Sequence, residues 1–297
     1  QKRRDSLRVR DGGAIAAATM SFGDGGNIRV DASSGSIVLD GGSITSSSVA
    51  MVRTDVVNGV ETKTVLPSGS AGSVEVTAKS ISINGISDHL SEISSRAVLG
   101  TSGRTGLVRV TANELTLSNG GQISIENNAT VPDPATIQPA SITVTAPRIT
   151  IRNSPDAITA KSTGNIAAGD IHINAAERLY LDPSGITTTA QDGNGGSIDI
   201  RAGLLWLQDS QIATSVRGLS GNGGNISIDA DSLILNTGFI QANTAARNAS
   251  GGLVSISARN LIASGNSLLV GGDTPYNYQP FVFGYNVIQA AAPDGVN

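Results

Sequence analysis

The residues whose types and spacing could do chemistry are glycines flanked by Asn or Asp. Residues 23–27 read GDGGN, residues 193–196 GNGG and residues 221–225 GNGGN, and each runs directly into alternating apolar residues. A glycine-rich loop cradles phosphate when it opens a helix and brings a Lys with a Ser or Thr. Here each loop opens a run of strand character and no Lys follows. Calcium in β-rolls needs acidic residues recurring in a nonapeptide register, whereas Asp24 and Asp192 stand alone. The expectation is a structural corner with no metal and no cofactor, where Gly supplies positive φ and Asn or Asp tolerates it. Acid–base candidates are sparse. The chain has two His, His89 and His172, and no Cys. His172 has no evident Ser and Asp partner in a neighbouring column, so it reads as a solvated side chain. No catalytic residue is assigned, and the chain is expected not to be an enzyme.

The loops return because the whole chain repeats. The run GGSIDIRAGLLWLQDSQIATS supplies Ile198, Ile200, Ala202, Leu205, Leu207 and Ile212. GGNISIDADSLILNTGFIQANT supplies Ile226, Ile228, Ala230, Leu233, Leu235, Ile240 and Ala242. GGLVSISARNLIASGNSLLVGG supplies Val254, Ile256, Ala258, Leu261, Ala263, Leu268 and Val270, and these units recur every 28 residues. Upstream the same pattern starts at Ile28, Val74, Val108, Ile142 and Ile171 with looser spacing. Each unit holds three short runs of period-2 alternation, one side chain in and one out. Strands so short bury a core only if the units stack. The fold class is therefore all-β: a right-handed parallel β-helix, or solenoid, with three short strands per coil and about eight to nine coils. It reads as a single unit over 1–297, about 40 Å long at one strand spacing per coil. The Ala closing most first runs (Ala32, Ala78, Ala112, Ala146, Ala202, Ala230, Ala258) fits a tight inner bend that a larger residue would overpack.

Two stretches break the rhythm and read as loop insertions, 48–72 and 86–104. In the first, Asn58-Gly59 between two β-branched runs predicts a β-hairpin near 51–66. The second carries His89, Glu92 and Arg96. Neither shows a ligand code.

Acid–base chemistry on a β-helix would need paired carboxylates at outward positions. Along the first strands they are Arg29, Glu75, Arg109, Thr143, His172, Asp199, Ser227 and Ser255, with no Asp/Glu pair suited to glycoside chemistry. Along the second strands they change from small and polar to Tyr180, Trp206, Ile234 and Ile262. These four form the candidate contact surface, since an exposed apolar file marks a docking face unless a loop of the same chain covers it. Composition narrows the classes further. Aromatics are 3%, charged residues 15%, and the net charge is −4. No basic face interleaved with aromatics is present, which argues against nucleic acid. No apolar run reaches membrane-spanning length.

Leu7 and Val9 match second-strand positions with no first strand before them, so the chain reads as a segment of something longer. The repeated GNGGxIxI, the L-x-L second strand and the closing LLVGGDTPYNYQPFVFGYNVIQAAAPDGVN resemble filamentous-haemagglutinin-type exoproteins of bacterial two-partner secretion (TpsA-type). The resemblance implies export through an outer-membrane β-barrel transporter, a secreted or cell-surface location, and a fibre serving adhesion, aggregation or biofilm. Possible partners are a second copy or host and surface glycans. The rival functions are a carbohydrate-binding module, using Tyr180 and Trp206, and a polysaccharide-degrading β-helix enzyme.

Overall fold

The computed structural model describes residues 6–20, 22–86, 88–98, 104–247, 249–265 and 267–294. Within them the chain is a parallel β-solenoid, its coils stacked in three files of strands. On the first face, Ile28, Val74, Val108, Ile142, Ile171, Ile198, Ile226 and Val254 follow one another in register. On the second face, Leu7, Ile37, Ile81, Leu115, Ile149, Leu179, Leu205, Leu233 and Leu261 do the same. The third runs Ile15, Ile44, Ile93, Ile123, Ile158, Ile186, Ile212, Ile240 and Ile288. Inward side chains from all three faces meet in one continuous aliphatic core. Alternation drives this: in Ser43–Val49 every second residue is taken from water, and only stacking achieves that burial.

Three kinds of corner join the faces. Between first and second faces lies the small-residue bend. Ala32, Ala78, Ala112, Ala146 and Ala230 are buried there, and Ala175 joins the file opposite Ala202. Its unit is one residue out of step, and a bulge between Ala175 and Arg178 absorbs the difference. The corner between second and third faces turns on single residues in the left-handed region. Asn119, Asn153, Asp209 and Thr237 have φ of 52°, 49°, 40° and 56°. Asn and Asp tolerate this conformation; Thr237, β-branched, does so under strain. The third corner holds the glycine-rich loops.

The hairpin stands where Asn58-Gly59 placed it. Val52–Val57 and Val60–Val65 pair antiparallel, and the two turn residues have φ of 52° and 76°. It forms a sheet of its own, with every residue except Asp55 exposed, so it stands off the shaft. The second presumed insertion, 86–104, is corrected. Glu92–Val98 is a third-face strand between Ser43–Val49 and Gln122–Asn127. Its inward Ser95, buried Glu92 and half-buried Arg96 hid the alternation. Residues 87 and 99–103 of that stretch lie outside the described residues.

The last coil departs from the 28-residue rule as well. Leu268–Val270 does not stack on Ile240. Asn286–Ala291 takes that place, and Leu268–Val270 pairs on its far side. The reason is aromatic. Phe239 points outward and is fully buried under the returning segment, with the rings of Tyr278, Phe283 and Tyr285 at 5.3, 5.2 and 6.1 Å. Asn286 Oδ1 accepts from the Gly238 N–H at 2.9 Å, and Gln289 Nε2 donates to carbonyls of Gly271, Gly272 and Thr274. Leu268 offers no comparable set of partners.

Candidate functional site

The glycine-rich corners are built from the inside. Four third-face strands carry a buried hydroxyl two positions after their inward Ile: Ser46, Ser95, Thr188 and Thr214. Thr188 Oγ1 donates to the Gly196 carbonyl and Thr214 Oγ1 to the Gly224 carbonyl, both at 2.7 Å. Ser46 and Ser95 do the same toward Gly26 and Gly72 and accept in turn from the N–H groups of Gly72 and Gly106. Polar side chains at core positions are thus satisfied by the loop that crosses beside them. The corner Asn and Asp face along the axis. Asn194 Oδ1 accepts from the Asn222 N–H at 3.0 Å, and Asn222 Oδ1 from the Ser250 N–H at 2.9 Å. Asn27, Asn225, Asp24 and Asp170 make the equivalent bond to the following coil. Glycine is demanded by proximity: a Cβ on Gly224 would sit 2.0 Å from the Gly196 carbonyl oxygen. The loops' polar groups hold coil to coil. Among the described residues, no three His, Asp or Glu side chains gather as a metal site would require.

The four residues expected to form a contact surface share one register. Tyr180, Trp206, Ile234 and Ile262 stand opposite one another on consecutive coils of the second face. The first three are half-buried and Ile262 is 50% exposed. The Tyr180 and Trp206 rings meet edge to face at 5.0 Å, and the Arg152 guanidinium lies 5.5 Å from the Tyr180 ring centroid. Tyr180 donates to Asp182 at 2.8 Å; burial and this carboxylate push the phenol above its ordinary pKa. Trp206 Nε1 is buried without a hydrogen-bond partner.

The reading of His172 is corrected in part. Its Nδ1 lies 3.0 Å from Asp199 Oδ2, directly opposite on the next coil. Both side chains are about half exposed, so the pair adds little to stability. Ser227 follows Asp199 in the same file, on the side away from His172. Thr143 precedes His172 in that file, so the order is Thr, His, Asp, Ser, and Asp199 stands between the imidazole and Ser227. These side chains line a polar trough on the first face with Asn174, Arg201 and Asp229.

The third face carries a feature the sequence reading missed. A groove runs along its outer side from Arg96 and Gln122 through Asp156, Thr187 and Thr189 to Gln241 and Asn243. At its C-terminal end it widens to about 490 Å³ and is walled by residues 275–278. Tyr278 donates its hydroxyl to the Asp209 carbonyl, which fixes that wall. Near the other end Arg96 Nη2 pairs with Glu92 at 2.5 Å, and burial raises the Glu92 carboxyl above its usual pKa against the pull of Arg96. Outward third-strand residues were legible in principle, but only once each third strand was aligned.

Fold and faces together define a parallel β-solenoid with differentiated outer surfaces. No family model, curated protein or solved structure matches this chain.

Proposed function

We propose that this chain is part of the shaft of a secreted or cell-surface bacterial adhesin or fibre, non-catalytic and of the filamentous-haemagglutinin type. In this reading it is exported through an outer-membrane β-barrel transporter and serves adhesion, aggregation or biofilm formation. The observation that carries it is the unbroken register of the three files. Each coil repeats the same three faces at about 4.8 Å per rung, so adding coils extends a tip from the cell without altering any local contact. The axial Asn and Asp bonds at the third corner add a side-chain tie between most pairs of coils.

Bacteria displaying the parent protein should keep adhesion and aggregation when residues 74–141, two coils outside the Tyr180–Ile262 file, are removed in frame, with a fibre about 10 Å shorter. Removing the whole region should abolish display or adhesion. Release of new reducing ends or unsaturated sugars by the purified chain from a panel of polysaccharides would replace the shaft by an enzyme. The file Tyr180, Trp206, Ile234 and Ile262 supports a lateral role: fibres bundling through the second face. Ile234→Asp should then leave single rods in light scattering. Loss of glycan-array binding in Trp206→Ala would favour a carbohydrate-binding module instead.

A further inference from the structure

The third-face groove has a built floor with unmet hydrogen-bonding capacity. Outward hydroxyls of the third face form bonded pairs along the axis, Ser94 Oγ with Thr45 Oγ1 at 2.9 Å before the groove begins and Thr159 Oγ1 with Thr187 Oγ1 at 3.0 Å within it. Ser124 occupies the coil between those pairs, in register with Ser94 on one side and Thr159 on the other. It is 4% exposed, and its Oγ bonds to nothing. Arg96, opposite Glu126 in the adjoining file, has a buried Nε with no acceptor. Both residues line the groove. A buried donor left unpaired is costly, so two at one place call for an oxygen-bearing ligand.

The groove's shape and chemistry narrow that ligand. It is parallel to the solenoid axis and spans six consecutive coils, from Arg96 to Asn243, which is about 24 Å at one strand spacing per coil. The floor strands already spend their backbone N–H and C=O groups on the coils above and below. An extended peptide therefore has no free edge to join. What remains is a lining of hydroxyls and amides, with cations (Arg96, Lys161, Arg217) set among carboxylates (Glu126, Asp156). Tyr276, 36% exposed, stands at the C-terminal end with its ring braced edge-on against Tyr285 at 5.7 Å. Hydroxyls and amides for polar groups, plus an aromatic face at one end, suit a sugar chain.

We propose that the groove binds a linear, neutral oligosaccharide laid along the axis, with roughly one sugar ring per coil, donors at Arg96 Nε and Ser124 Oγ, and Tyr276 stacking on a terminal ring. This binding site is distinct from the second-face file and does not depend on the chain acting as a shaft. Calorimetry with neutral linear β-glucan, xylan and mannan oligomers of two to seven units tests it. At least one series should bind saturably and tighten with length up to about six units. Ala213→Trp, which fills the groove from an outward position, should weaken that binding at least tenfold. Ser227→Trp, on the first face, should leave it within twofold. If Ala213→Trp alters the far-UV spectrum, the milder pair Ser124→Ala and Thr187→Val should still weaken binding at least threefold. Failure of every oligomer to bind, binding unchanged by the groove variants, or binding only of uronate oligomers with steep salt dependence would each overturn the assignment. None of these results bears on adhesion by the displayed parent, so the two readings fail separately.

Discussion

Single side chains decide how the coils are fastened. Thr214 looks like a misplaced polar residue at a core position, yet it donates to the Gly224 carbonyl inside the third corner. Thr214→Val keeps the volume and removes the donor, leaving a buried carbonyl unpaired. That should cost about 1–3 kcal/mol in urea denaturation, whereas Thr189→Val, on the outer side of the same face, should cost under ~0.5 kcal/mol. Glu92 is the residue with a pH signature. Burial raises its folded-state pKa, so the folded state holds its proton more tightly than the unfolded chain does. Its contribution favours folding below the ordinary glutamate value of 4.5 and is lost as pH rises through the raised value. Glu92→Gln should flatten that part of the melting-temperature profile; an unchanged slope from pH 4 to 7 would assign the dependence to other groups.

At the scale of elements, strands differ in how much they carry. The hairpin Val52–Val57/Val60–Val65 pairs only with itself and shares no buried side chain with the shaft. Replacing 52–65 with a short Gly-Ser linker should leave the shaft's denaturation midpoint unchanged within ~0.5 kcal/mol. A larger loss would mean that the hairpin braces the coils on either side of it. The hairpin and the first- and second-face strands were legible because alternation and the Asn-Gly turn are local signals. The third-face strand Glu92–Val98 was not, because its Glu, Ser and Arg break the apolar alternation: Glu92 pairs with Arg96 inside the strand, and Ser94 and Ser95 find partners 11 to 49 residues away. Asn286–Ala291 displaced Leu268–Val270 for a similar reason: Phe239 selects the segment that can bring to it the rings of Tyr278, Phe283 and Tyr285, all far along the chain.

Across the whole molecule, stability is a sum of neighbour-to-neighbour terms rather than the property of a central core. The second-face file shows the consequence. Leu205 has a coil on each side and is fully buried; Leu261, at the same position in the last coil, is 48% exposed. Leu205→Ala should cost about 2–5 kcal/mol, and Leu261→Ala under ~1 kcal/mol because little apolar area is at stake. Equal costs at the two positions would contradict a stacked array.

The sequence by itself determined the architecture: a repeat of short alternating runs can bury its apolar side only by stacking, and the 28-residue spacing sets the register. It also placed Tyr180, Trp206, Ile234 and Ile262 in one file. Tertiary structure alone decided which polar residues are spent inside the corners, which strand closes the last coil, and that His172 meets Asp199. The same holds for the groove with its unpaired Ser124 and Arg96. Those outcomes depend on side chains from different coils meeting across the solenoid, where distance along the chain carries no information about distance in space.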